Sequence, residues 1–132
     1  MTRAVATFEI RSWDEKPLLE ADGQKLTRAS VKKSFQGDIE GESVLEYVMF
    51  YRADGTASYT GIERITGRLG GKSGSFALLH GGTFAGGVAT SRWTMVEGSG
   101  TGGLKGLRGD GGFSSGHAQW YEMTLDYELT PK

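Results

Sequence analysis

Tyr121-Glu122-Met123-Thr124-Leu125-Asp126-Tyr127-Glu128-Leu129 alternates apolar and polar residues without a break. In an extended chain successive side chains point to opposite sides, so the two tyrosines, Met123 and the two leucines share one face. The acidic residues and Thr124 share the other. This is the pattern of an antiparallel strand with one face on a core and one in water.

The same period sorts earlier segments. Ala29, Val31 and Phe35 oppose Arg28, Ser30, Lys32 and Ser34. Tyr59, Gly61 and Ile65 oppose Ser58, Thr60, Arg64 and Thr66. Phe76 and Leu78 oppose Ser75 and Ala77, and Trp93 and Met95 oppose Arg92 and Thr94. Eight strand segments follow: residues 4–13, 26–37, 44–51, 57–68, 75–84, 88–97, 101–108 and 118–130. Asp54-Gly55, Gly86-Gly87 and Asp110-Gly111 read as hairpin turns, and Asp22-Gly23 as the loop before the second segment. Residues 44–51 are apolar on both faces, which calls for a cover on the outer face, either a subunit interface or the N-terminal loop. Glu46 falls with Val44, Val48 and Phe50, on a strand whose facing stays open. No segment carries a helical stripe, so any helix is short, around residues 17–21. The expectation is an all-β protein: one domain over residues 1–132, an eight-stranded antiparallel up-and-down β-barrel. Closure removes the edges that so long a sheet would otherwise expose.

Composition narrows the function classes. The 132 residues carry 15 Lys+Arg against 16 Asp+Glu, a net charge of −1. That balance argues against nucleic acid as a partner, despite the basic residues at Lys32-Lys33 and between Arg64 and Lys72. With no Cys, disulfides, thiolate metal sites and cysteine nucleophiles are excluded. His80 and His117 are far apart and have no metal-ligand spacing, so no metal and no cofactor is expected. No apolar run is long enough for a membrane helix, and the N-terminus carries no signal-peptide core. A cytoplasmic location is the expectation. Gly is abundant at 22 residues and Asn is absent. Recurring Phe, Leu, Trp and Met among the glycines argue against disorder. Gly61, Gly103 and Gly106 read as bends or close backbone approaches inside strands.

The inward face also carries polar groups. Lys33 shares the Ala29/Val31/Phe35 face, Glu63 lies between Gly61 and Ile65, and His80 follows Phe76 and Leu78. An isolated carboxylate in an apolar interior is costly. Two readings of Glu63 stay open: a structural ion pair with Lys33 or a tyrosine hydroxyl, or a general acid/base whose pKa burial raises. His80 is read either as a rim residue or as a group setting the charge on Glu63. Tyr59, Phe76, Trp93, Tyr121 and Tyr127 form either a packed core or the wall of a ligand cavity.

Three strings imitate known motifs. Gly98–Gly103 matches G-x-G-x-x-G, but the Gly-rich residues that follow cannot open the helix a dinucleotide site needs. Residues 67–73 fall one residue short of a phosphate loop and read as a hairpin loop. Arg108-Gly109-Asp110 reads as a turn.

Residues 98–112 (GSGTGGLKGLRGDGG), residues 75–84 (SFALLHGGTF), residues 35–41 (FQGDIEG) and residues 59–67 (YTGIERITG) together resemble an uncharacterised bacterial family, domain-of-unknown-function family 3224. Ser12-Trp13-Asp14-Glu15 and residues 125–129 extend the resemblance to nearly the whole chain. The resemblance implies a small barrel similar to allene oxide cyclase and the dirigent proteins, which share the Gly-Thr-Gly-x-apolar-x-Gly pattern found at residues 100–106. It also implies a reaction class, isomerisation or cyclisation of an apolar substrate steered by shape and desolvation. On that reading Glu63, Lys33 and His80 are the candidate catalytic groups, and the aromatic set binds a small apolar ligand. The alternative is a filled barrel acting as a non-catalytic binding or assembly module, joined into a homo-oligomer through residues 44–51 and outward aromatics such as Trp120.

Overall fold

Eight strands, each antiparallel to the next, run in sequence order around a closed barrel. The computed structural model describes residues 1–115 and 119–129. The strands are β1 (Thr2–Ala21), β2 (Gln24–Gly37), β3 (Ile39–Tyr51), β4 (Ala57–Leu69), β5 (Lys72–Ala85), β6 (Val88–Met95), β7 (Leu107–Ser115) and β8 (Tyr121–Leu129). A single turn of 3-10 helix, Gly102–Leu104, precedes β7. The expected all-β arrangement of eight antiparallel strands in one sheet is therefore present. Among the described residues no helix is long and apolar enough to cross a membrane.

Two of the three expected hairpin pairs, Asp54-Gly55 and Gly86-Gly87, close hairpins. Gly55 and the Gly86-Gly87 pair have positive φ, as does Asp22-Gly23, which joins β1 to β2 directly with no longer loop. Gly70-Gly71, inside the phosphate-loop look-alike, turns β4 into β5 in the same way.

The seventh segment is a correction. Residues 101–108 are not a strand: they hold the 3-10 turn and only the start of β7. Asp110-Gly111, expected as a turn, lies inside β7, with Asp110 opposite Asp126 and Gly111 opposite Leu125. A β-carbon on Gly111 would stand 2.0 Å from the Thr124 carbonyl oxygen and 2.9 Å from Trp93 Nε1. Gly111 makes room for the Thr124 carbonyl first and for the Trp93 indole beside it, so Asp-Gly marks close packing and no reversal. Gly61 makes the same room for the Glu46 carbonyl and the Tyr47 ring. Gly103 and Gly106, expected inside strands, lie outside them. The loop they belong to plugs one end of the barrel. Thr101 Oγ1 accepts from the Ser75 amide at 3.0 Å and bonds its hydroxyl at 2.6 Å, and Leu104 is buried against β5.

The helix expected around residues 17–21 is also a correction, because β1 runs on as strand to Ala21. Its ladder with β8 ends at Phe8↔Tyr121, while its ladder with β2 continues to Ala21↔Gln24. Past Phe8, β1 has β2 on one side and no ladder on the other among the described residues. Pro17 lacks an N–H, which costs little on such an edge. Of the expected last segment, Ala118 and Thr130 lie outside the described residues.

Strand β3 resolves its facing. Leu45, Tyr47 and Met49 are buried, while Val44, Val48 and Phe50 are exposed on the outside with Glu46. The interior divides into two levels. Toward the plugged end Ile39, Ile65, Leu69, Phe76, Leu78 and Leu125 pack into a continuous core. Toward the other end the inner walls of β2 to β4 form a second cluster.

Gly111→Ala is expected to destabilise the barrel by about 1–3 kcal/mol, the usual range for overpacking. Urea unfolding followed by tryptophan emission measures this; a wild-type midpoint for the variant would show that the contact with Trp93 is not needed.

Candidate functional site

At the boundary between the two levels the inward polar groups converge. Glu63 on β4 faces Lys33 on β2, with Lys33 Nζ 3.5 Å from Glu63 Oε2. The Ser43 hydroxyl on β3 donates to the same oxygen at 2.5 Å. His80 Nε2 on β5 lies 2.7 Å from the other carboxylate oxygen, Oε1. Four adjacent strands thus each contribute one side chain. Lys33 Nζ also stands 4.2 Å from the centre of the Phe8 ring, a cation–π contact. Lys33, Glu63 and His80 are each at most 3% exposed.

Burial pushes the Glu63 carboxyl up, but the Lys33 ammonium, His80 and the Ser43 hydroxyl outweigh it and hold the group at about 2. Glu63 is therefore ionised, and its expected upward shift is not found. Burial pushes Lys33 down, opposed by Glu63. It pushes His80 down as well, against the same carboxylate. A neutral His80 donates its Nε2 proton to Glu63 and keeps Nδ1 as a buried acceptor with no hydrogen-bond partner. The floor so built is close to neutral overall: one ammonium, one carboxylate, one uncharged imidazole.

Above this floor lies a cavity of about 490 Å³. Small-molecule sites run about 300–1,000 Å³. Lys33 forms part of its wall, together with Phe8, Tyr47, Tyr59, Phe113 and Tyr121. Tyr47 and Tyr59 meet edge to face at 5.0 Å. The Tyr59 hydroxyl is 2.5 Å from that of Ser91, which also hydrogen-bonds Tyr47. Burial raises the pKa of both phenols, and the Glu63 carboxylate adds to the rise at Tyr47, so both stay neutral. At the mouth Glu15 accepts from the Tyr51 hydroxyl at 2.5 Å, Thr27 at 2.6 Å and the Trp13 indole at 2.9 Å.

Of the candidate residues, Lys33, Tyr59 and Tyr121 reach the cavity. Glu63 and His80 lie behind Lys33, bound to each other and absent from the wall. Phe76 belongs to the packed core, with Tyr127 against it. Trp93 stacks between His80 and Phe113, at ring separations of 5.0 and 5.8 Å, and is likewise absent from the wall. His117 lies outside the described residues, and among those described no three His, Asp or Glu side chains cluster as metal ligands. Tyr47, Met49, Tyr51, Trp13 and Phe113 were not anticipated as wall residues. The first three share a face with Leu45, a signal obscured because β3 is apolar on both sides.

Residues 4–127 match the family described as proteins of unknown function, DUF3224. The chain belongs to DUF3224. A crystal structure of a protein of unknown function from the same family, from Shewanella oneidensis MR-1, superposes with a TM-score of 0.82 at 28% identity, covering 99% of each chain. No curated protein matches. The family read from the sequence motifs is thus the right one, and residues 98–112, prominent in that reading, are in this DUF3224 barrel the end plug and β7.

The buried cluster sets an acid limit on stability. Glu63 has a lowered folded-state pKa, so its contribution is present above about pH 4.5 and is lost as pH falls toward about 2. The lowered His80 acts in the same direction, because the unfolded chain takes up the proton first once pH drops below about 6.5. Unfolding free energies should therefore fall from about pH 6.5 downward and most steeply below 4.5. Glu63→Gln should cost about 3–5 kcal/mol at neutral pH, because it strands the Lys33 ammonium; the double variant Lys33→Met/Glu63→Leu should cost less than that single change. Urea unfolding across pH tests both statements.

Proposed function

We propose that this DUF3224 barrel binds a small, neutral, largely apolar molecule in the cavity above Lys33. The observation that carries this reading is an aromatic cavity whose floor presents an ammonium already balanced by Glu63. A second net charge from an anionic ligand would unbalance that floor in a low-dielectric setting. A neutral oxygen acceptor would not, since an ammonium has three protons to donate. The ligand accordingly carries one carbonyl or hydroxyl at its buried end and an apolar body against the tyrosines. Where turnover accompanies binding, the reaction class is isomerisation or cyclisation, with the walls folding the substrate and Lys33 polarising its oxygen. Glu63 and His80 then act as positioning residues for Lys33.

Fluorescence titration with N-phenyl-1-naphthylamine tests the reading. Wild-type protein should bind the dye, and neutral aromatic aldehydes and alcohols should displace it better than matching carboxylates. Ala89→Trp, which fills the upper wall, should abolish binding while the circular dichroism spectrum is retained. Dye binding unchanged by Ala89→Trp would place the dye elsewhere and remove the proposal.

A second reading concerns assembly. Val44, Val48, Ile62 and Leu79 are 44–57% exposed and adjoin across β3, β4 and β5. No described segment of the chain covers them. We propose a second copy of the chain as the cover. Basic and acidic groups flank the aliphatics, with Arg28 and Glu46 paired at 2.8 Å on one side and Arg92 across from Gly81 on the other, so that one copy's rim offers both signs to its neighbour. Light scattering at micromolar concentration should report a dimer or larger species that Ile62→Glu/Leu79→Glu reduces to monomer. A wild-type monomer would overturn this.

A further inference from the structure

We propose that Lys33 forms an imine with an aldehyde or ketone seated in the cavity. The inference rests on the cavity-binding reading above and goes further by making the contact covalent.

Three features of the site lead there. Among the described residues Lys33 is the buried lysine; the others project into water or sit at the surface. Its side chain both lines the cavity and is anchored from behind by Glu63. Phe8 lies against the nitrogen on one side and Tyr47 walls the space above. A nucleophilic amine must first lose a proton, and withdrawal from water favours the uncharged form. An amine held by a fixed carboxylate, facing an apolar space, is thus presented to a carbonyl carbon with little freedom to lose on reaction.

The chemistry balances. The Lys33 ammonium releases one proton, and its nitrogen pair attacks the carbonyl carbon. The carbonyl π pair moves to oxygen, which takes up a proton to give the carbinolamine. Nitrogen gives its second proton to the carbinolamine hydroxyl, the C–O bond breaks, water leaves through the mouth, and a C=N bond forms that retains one N–H and one positive charge. The sum is ammonium plus carbonyl compound giving iminium plus water, with no oxidant or reductant. Charge on nitrogen is the same before and after, so Glu63 keeps its counter-ion at 3.5 Å. Acylation of Lys33 by an ester would instead leave a neutral amide and strand the buried Glu63 carboxylate. The pair therefore selects carbonyl compounds of the aldehyde or ketone type over acyl donors.

The test uses the full chain with cinnamaldehyde and sodium cyanoborohydride, read by intact mass and peptide mapping. The expected result is one reduced cinnamyl unit, carried by Lys33 and formed faster than any adduct on exposed lysines. Cinnamyl alcohol, which can occupy the cavity and cannot form an imine, should protect Lys33 and leave surface labelling unchanged. Lys33→Arg keeps a cation against Glu63 and should lose the fast adduct; should that variant fail to fold, the protection experiment on wild-type protein decides alone. Displacement of N-phenyl-1-naphthylamine by cinnamaldehyde with no preferential adduct at Lys33 would overturn the imine and leave the cavity reading standing. Failure of the dye and of cinnamaldehyde to bind at all would remove both.

Discussion

The Lys33–Glu63 pair, with Ser43 and His80 closing around it, is the constraint on which the rest of the interior depends. An unpaired charge at that depth would cost several kcal/mol, so four consecutive strands must hold one relative register for the cluster to exist. Register slip by one residue would send each of these side chains to the outside. The pair also marks the level at which the barrel changes character. Below it Phe76, Leu78, Ile65 and Leu69 pack with Leu104 of the plug. Above it the wall is aromatic and the space is open.

Barrel closure is uneven along the axis, which places the opening. The β1–β8 ladder covers only Thr2–Phe8 on one side and Tyr121–Tyr127 on the other. Beyond it β1 leans on β2 alone and carries Asp14, Lys16, Pro17 and Glu20 along its outer run. Charges and a proline on an exposed edge discourage pairing with another strand. The cavity wall includes Ile10 and Trp13 from this part of β1 and Phe113 and Tyr121 from the facing strands. The seam where hydrogen bonding stops is therefore also beside the cavity. Glu15 ties this run of β1 to β2 and β3 by gathering Trp13, Thr27 and Tyr51.

Alternation alone was enough to read most strands, because each has one wet and one dry face; β8 is the clearest. It also placed Lys33, Glu63 and His80 on the inside together. What alternation does not carry is height along the barrel. Phe76 and Tyr127 have the same period as Tyr59 and Tyr121, yet the first two sit toward the plugged end and the second two on the cavity wall. Height is set by register, such as Tyr47↔Gly61 and His80↔Trp93, and register is a relation between strands. Strand β7 escaped for a different reason. Asp110-Gly111 carries the local signature of a turn, and the need for a residue without a side chain beside Trp93 comes from a neighbour in space. Strand β3 hid Tyr47, Met49 and Tyr51 because its outer face is apolar as well.

The placement of the ion pair argues for its role more strongly than its energy does. A buried pair adds little to stability compared with a well-packed apolar filling, and the lower half of this barrel shows that the chain can supply such a filling. A pair needed only to pin the strands would do so equally well inside the packed half. Here it stands at the level where Lys33 is held by Glu63 on one side and borders the cavity on the other. Glu63 and His80 are withdrawn behind it and bonded to each other through Nε2 and Oε1, and Glu63 holds the Lys33 nitrogen at 3.5 Å. Lys33 alone of the three lines the cavity, and that position is what the proposed imine requires of it.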